Sequence, residues 1–422
     1  MATAWRRLDV SGRMRAALVD VGGRDVDVLA LGKAASTMEQ AVADSGVRVR
    51  RRLVVTTPEA ARPGDRAGDH PIVGERSLAN GRAVIEFVEG GSVEVPLVIA
   101  LSGGASALAT VPVEPLDAAD LLELWRAALR QGTDIGDLNR LRASASWVGG
   151  GALAAASVAS EVILVTMVDN VVSGPDWVGS GPATRYAPSV AELEQLLESV
   201  GLSDDPVGER WRAARRTRDA WLVGHPAPPV RQFVVATPDD ALALALEEAR
   251  ERGYVTLSMG ARVVGDVADV AEEFVEAARR TGGRVAVLGA GEVTVRVEGS
   301  GRGGRSQEFA LRAAHRLGAA GTTRAVAVSV ATDGRDHEVD VGGLAVAPED
   351  LAAAVHRGVD VARVLAGHDT HDLATSIGTI VPGGPTGWNL CDVYGVVIDD
   401  GSRRRPRAPV RSTREGSGHE HG

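Results

Sequence analysis

Lys33 is the only lysine in a 422-residue chain that holds 46 lysines and arginines together. An ammonium on a flexible stem is a compact point charge suited to a phosphate that moves, where a guanidinium is a planar fork. It stands in the run Leu29-Ala30-Leu31-Gly32-Lys33-Ala34-Ala35-Ser36. Val26–Leu31 reads as a short buried strand, Gly32 as a tight turn and Ala34–Val42 as the start of a helix. Lys33 then lies where a strand ends and where helix N–H groups favour anions. The plain alternative is a surface lysine surviving in an arginine-rich composition.

Other strand ends hold reactive groups. Val162–Val168 runs into Asp169, a carboxylate placed to hold Mg²⁺ or to accept a hydroxyl proton; as a turn cap it would need no such role. Ala325–Val330 leads to Thr332-Asp333-Gly334-Arg335-Asp336-His337-Glu338, rich in carboxylates. Pro96–Leu101 enters the small-residue turn Ser102-Gly103-Gly104-Ala105-Ser106, whose N–H groups could approach an anion or could merely pack tightly. Gly383-Gly384-Pro385-Thr386-Gly387-Trp388-Asn389 and Asp392 form a last glycine turn. After an expected strand at Thr294–Val297, Gly299-Ser300-Gly301-Arg302-Gly303-Gly304 is a literal G-x-G-x-x-G, the motif of an NAD(P)-dependent reductase. The acidic residue that fingerprint wants about 20 positions on is missing from Gly318–Arg324, and Arg302 and Arg305 suggest a phosphate-gripping turn instead. No Walker A pattern, His-Glu-x-x-His or nucleophile elbow occurs.

These turns need a scaffold of strands alternating with helices. Val26–Leu31, Leu53–Thr57, Pro96–Leu101 and Val162–Val168 read as strands, Ala118–Arg130 and Ala191–Val200 as helices. The pattern implies an α/β fold of two domains with largely parallel or mixed sheets and an active-site cleft between them. A stretch at 201–230 ending in His225-Pro226-Ala227-Pro228-Pro229 reads as a connector. The expected organisation is therefore 1–230, 231–400 and a disordered tail at 401–422. A net charge of −10 argues against nucleic acid or an anionic membrane as partner. Cys391 is the single cysteine, which excludes an intramolecular disulfide and a thiolate zinc site. Met1–Val10 lacks a signal-peptide core, and Val95–Val111 is too short and broken for a membrane span. The expected location is cytoplasmic.

The ordered set resembles the glycerate 2-kinase family, whose carboxy-terminal domain is of the MOFRL type. It comprises Gly32–Ala35 with Met38, His70-Pro71, Ser102–Leu108, Asn139 with Arg142, Ser146, Gly150-Gly151 and Ser180-Gly181-Pro182. It continues with Gly291-Glu292, Thr294-Val295, Gly303-Gly304-Arg305, Gln307-Glu308, Thr332–Gly334, Gly384–Gly387, Asn389 and Asp392. The resemblance implies phosphorylation of the 2-hydroxyl of D-glycerate, or of a related hydroxy acid, with ATP and Mg²⁺. By position, Lys33 would neutralise the transferring phosphoryl group, Asp169 would bind metal or act as base, and Arg305 would clamp phosphate. Asp333 would join Asp169 at the metal. Ser102, Gly103, Gly104, Ser106, Asn139, Arg142, Ser180, Gly181, Gly303, Gly304, Gln307, Glu308, Asp333, Thr386, Gly387 and Asn389 would line the substrate and nucleotide sites. The expected partner is a small hydroxy-acid substrate, and a homodimer is compatible with the pattern. The chain departs from the family at Ala143, Gly149 and Ala152, where cations are usual, and at Ser173 and Gly174, where carboxylates are. The departures point to an acceptor less charged than glycerate, or to an impaired homologue that acts as a binding protein.

Overall fold

The computed structural model describes residues 7–133, 135–169, 174–296, 301–338 and 340–400. Its first sheet has six strands in the order β3-β2-β1-β4-β5-β6. They are β1 (Asp25–Leu31), β2 (Arg48–Thr56), β3 (Arg66–Ala67), β4 (Leu97–Leu101), β5 (Val162–Met167) and β6 (Val230–Ala236). Every neighbouring pair runs parallel. Helices cover both faces, so β4 and β5 are buried at every residue and read as continuous apolar runs. The connection from β1 turns one way to β2 while β4 lies on the other side. The ends of β1 and β4 thus form a topological switch point, where such sheets open a crevice for ligands.

The second sheet has the order β11-β10-β9-β12-β8-β7. Its strands are β7 (Val255–Ser258), β8 (Arg284–Gly291), β9 (Ala325–Ala331), β10 (Val341–Val346), β11 (Ile380–Pro382) and β12 (Asp392–Asp399). Only β7 and β8 pair in parallel; the pairs formed by β9, β10, β11, β12 and β8 are antiparallel. The long helix Arg305–Ala319 packs on this sheet through Phe309, Ala310, Ala313, Ala314 and Leu317.

Three expectations are corrected. The boundary at 231 cuts into β6, which pairs with β5 and closes the first sheet. The stretch 201–230 is no connector: the helix Pro206–Gly224 buries Trp211, Ala214 and Leu222, and Trp211 and Ala214 join Leu124, Leu141 and Leu197 in a separate apolar cluster. Thr294 makes an isolated bridge to Asp266 in place of the strand expected from it. The expected tail at 401–422 and Ser173 lie outside the described residues. Among the described residues, no helix is long and apolar enough to cross a membrane.

Candidate functional site

The turns after β1 and β4 are stitched together. Ser102 N–H donates to Leu31 O at 2.9 Å, Lys33 N–H to Gly103 O at 2.9 Å, and Ala34 N–H to Ser102 Oγ at 3.0 Å. Ser102 is fully buried and serves this seam. Gly32 adopts φ +119°, and a Cβ there would stand 2.3 Å from the Ser102 carbonyl oxygen. A Cβ on Gly103 would stand 1.3 Å from Asp169 Oδ2. The two glycines let the first turn close on the second and let Asp169, at the end of β5, lie across the second.

The opposite wall comes from the second sheet. Lys33 Nζ donates to Asp333 Oδ2 at 2.9 Å, and Asp333 Oδ1 accepts Arg335 N–H at 3.0 Å. Asn389 Nδ2 donates to Asp169 Oδ2 at 3.0 Å, and Cys391 Sγ–H to the Asp169 carbonyl at 2.6 Å. Gly387 is seated on the first domain, since a Cβ there would stand 2.3 Å from Thr37 Oγ1. Thr386 Oγ1 donates to Thr332 O, and Thr332 Oγ1 accepts Leu390 N–H at 2.7 Å, which fixes the loop bearing Asn389.

Burial works against the Lys33 ammonium, but the Asp333 carboxylate and the charge of Asp169 outweigh it and raise its pKa. Burial likewise opposes the Asp333 carboxylate, and Lys33 prevails and lowers its pKa. Asp169 has no such full compensation. Burial, aided by Glu292 and only partly offset by Lys33 and Asn389, pushes its carboxyl up to about 6. His70 also faces this centre. Burial, then Lys33 and Arg335, bring its imidazole down to about 4, so it is neutral at pH 7.

Arg305 is held by carboxylates, Nε on Asp392 Oδ2 at 2.7 Å and Nη1 on Glu292. Burial opposes its charge, but those two groups drive its pKa well above the usual value. Its charge is felt at Lys33. The helix it begins has its own anion: Asp336 Oδ1 and Oδ2 accept Ser306 N–H at 3.0 Å and Gln307 N–H at 2.8 Å.

The arrangement can neutralise a moving anion with Lys33 beside a carboxylate short of positive charge. Asp169 suits a divalent cation, because a cation would relieve a site that burial and Glu292 make unfavourable for its ionised form. Asp333, the other expected ligand, is engaged on both carboxylate oxygens, by Lys33 Nζ and by Arg335 N–H. Among the described residues no group of three acidic, histidine or cysteine side chains could hold a metal alone.

A second group gathers beyond Gly104. Ser106 Oγ and Ser180 Oγ are 2.8 Å apart, and the Ser180 and Gly181 carbonyls each accept an N–H, from Gly150 and Gly151, at 2.8 Å. Arg142 and, one turn earlier, Asn139 project from the helix Ile135–Ser144 and are both half-buried. Sequence reasoning missed Arg218, a fully buried arginine that donates to the carbonyls of Ser146, Tyr186, Gly149 and Gly150 and fixes this loop.

Four of the expected ligand residues make contacts within the second domain. Gln307 is fully buried with Nε2 on the Asp336 carbonyl, and Glu308 faces Arg312 and His368. Gly303 packs on Thr370 and Gly304 on the Asp336 carboxylate. The dinucleotide reading meets the same obstacle: the helix N-terminus that should receive a pyrophosphate already receives Asp336. Gly299 and Ser300 of that motif lie outside the described residues.

Residues 6–211 match the family model described as a domain of unknown function, DUF4147, and residues 285–392 match the MOFRL family. The chain is 27% identical over 388 residues to a glycerate 2-kinase of Pyrococcus horikoshii, covering 88% of this chain and 87% of that one. It is 29% identical over 385 residues to a putative hydroxypyruvate reductase of Agrobacterium vitis, covering 88% and 86%. The crystal structure of a glycerate kinase from Thermotoga maritima superposes with a TM-score of 0.75 and 23% identity, covering 92% of this chain and 98% of that one. With both segments present in this order, the chain is a divergent member of the glycerate 2-kinase family, phosphotransferases that act on an alcohol group.

Proposed function

We propose that the protein transfers the γ-phosphate of ATP to the 2-hydroxyl of D-glycerate or a related hydroxy acid. The observation that supports this best is the Lys33–Asp333 pair at 2.9 Å, which joins the two domains beside Asp169. Phosphoryl transfer needs positioning and charge neutralisation more than covalent chemistry. Lys33 Nζ meets the charge of the phosphoryl oxygens in transit, and Asp333 keeps the ammonium protonated and aimed into the cleft. Asp169, ionised above about pH 6, can take the acceptor hydroxyl's proton. In the alternative role, Asp169 would hold the Mg²⁺ that neutralises developing phosphate charge. Arg305, fixed by Asp392 and Glu292, adds positive potential without moving.

The test is ADP release from ATP and Mg²⁺ by the purified protein with D-glycerate, then with other hydroxy acids, alongside Lys33→Ala. Removing one such electrostatic partner is expected to lower kcat about 10²–10³-fold with an unchanged circular dichroism spectrum. Wild-type turnover in Lys33→Ala overturns the role of Lys33. ATP binding with no transfer to any acceptor would make the chain a binding protein instead.

A further inference from the structure

A small cavity opens beside the second group, and its chemistry is two-sided. Arg142 lies in its wall with the hydroxyls of Ser106, Thr110 and Ser146, and Ile72, Val73, Leu121, Leu124 and Trp125 form the rest. The Arg142 guanidinium stands 5.5 Å from the Trp125 ring centroid. Among the described residues it has no carboxylate or hydrogen-bond partner, and burial alone brings its pKa down to about 10. A half-buried guanidinium without a counter-ion, facing a cavity, is free to take an anion that enters it. Arg305 and Arg218 differ from it: Arg305 has two carboxylates and Arg218 four carbonyls.

The cavity adjoins the transfer centre. Ser106 lies two residues after Gly104, where a Cβ would stand 3.2 Å from both the His70 ring and Lys33 Cγ. The charge of Arg142 is felt at His70. An anion on Arg142 therefore places the rest of a small molecule between His70 and the apolar wall. That wall is supplied mainly by one helix, Ala118–Gln131, on which Leu121 and Trp125 are four residues apart and share a face. A polar three-carbon acid offers nothing to five apolar side chains.

We infer that the acceptor is a 2-hydroxy carboxylate with an apolar substituent, its carboxylate held by Arg142 and its substituent by Leu121, Leu124 and Trp125. This rests on the kinase reading for the word acceptor, but the binding site stands or falls separately.

The experiment is calorimetric titration without nucleotide, using (R)-2-hydroxy-4-methylpentanoate, its amide and D-glycerate, with ADP release measured on the same acids. The branched acid binds at least tenfold more tightly than D-glycerate, and its amide at least tenfold more weakly than the acid. Arg142→Gln removes the preference for acid over amide, which Arg142→Lys partly keeps. Trp125→Ala narrows the ratio of branched acid to glycerate by about tenfold, while Trp125→Phe narrows it less. Equal binding of acid and amide, or tighter binding of glycerate than of the branched acid, overturns the inference. Arg142-dependent binding without ADP release upholds the pocket and defeats the kinase reading. ADP release from glycerate that Arg142→Gln leaves untouched defeats the pocket and upholds the kinase.

Discussion

Asp169 is the residue whose ionisation most directly governs the site. Its carboxyl is raised from 3.8 to about 6 by burial, with Glu292 adding to the effect. If the ionised form is the working one, kcat/KM rises with pH through a limb near 6 and levels above about 7. A bound cation favours the carboxylate, so raising Mg²⁺ should move the limb to lower pH; a limb that ignores Mg²⁺ would remove the metal from Asp169. The stability effect has the opposite sense. A carboxyl raised above its unfolded value binds protons in the folded state, giving stability that is present below about 4 and lost as pH rises through about 6. Asp169→Asn should therefore lower activity yet raise Tm at pH 8, with the gap closing as pH falls from 6 to 4. A Tm gain that persists unchanged at pH 4 would mean another cause. Lys33 and Asp169 were legible in the sequence because one is a solitary lysine and the other ends an apolar strand. The partner of Lys33 was not, because Asp333 is 300 residues away in the chain and nothing local marks it as a counter-ion.

The turns and helix ends decide which of these groups can meet. Gly103 is the tightest case, since any Cβ there occupies the place of the Asp169 carboxylate. Gly103→Ala should displace Asp169 and lower kcat at least 10²-fold, as expected when a charged group leaves its position, while far-ultraviolet circular dichroism stays unchanged. Activity within a few-fold of the parent would show that Asp169 can work from elsewhere. At the helix Arg305–Ala319, Asp336 is a buried cap for two N–H groups. Asp336→Ala should cost about 2 kcal/mol or more in urea unfolding and lower kcat, because Arg305 is the first residue of that helix. A stability loss below about 0.5 kcal/mol would mean the cap is replaced by water. The glycines here were visible in the sequence, but their use was not: a glycine turn that cradles phosphate and one that packs against a carboxylate have the same letters. Gly304 is of the second kind, against Asp336, and Gly303 packs on Thr370.

The two sheets share one core, and this bears on how the whole chain unfolds. One buried cluster contains Val26, Val28 and Ala30 of β1, Val98 of β4 and Val165 of β5 together with Ala286 and Leu288 of β8, Val330 of β9 and Val393 of β12. The helix Pro238–Glu251 lies within it through Ala241, Leu242 and Ala245. This explains why composition misplaced the division at 231. A Pro-rich stretch suggested a linker, yet the chain returns through β6 to complete the first sheet, and pairing between β5 and β6 is a long-range fact that local composition does not record. Across the cleft, Lys33–Asp333 and Arg335–Glu59 at 3.5 Å add polar ties, which alone would couple domains only weakly. The apolar cluster is the stronger link. Calorimetry should therefore show one unfolding transition rather than two. Leu242→Ala, which removes a side chain 4% exposed, should cost about 2–5 kcal/mol and lower that single transition as a unit. If the domains were independent, the same substitution would split the profile, moving one transition and leaving the other in place, and the shared cluster would then be a contact between two separately folding parts.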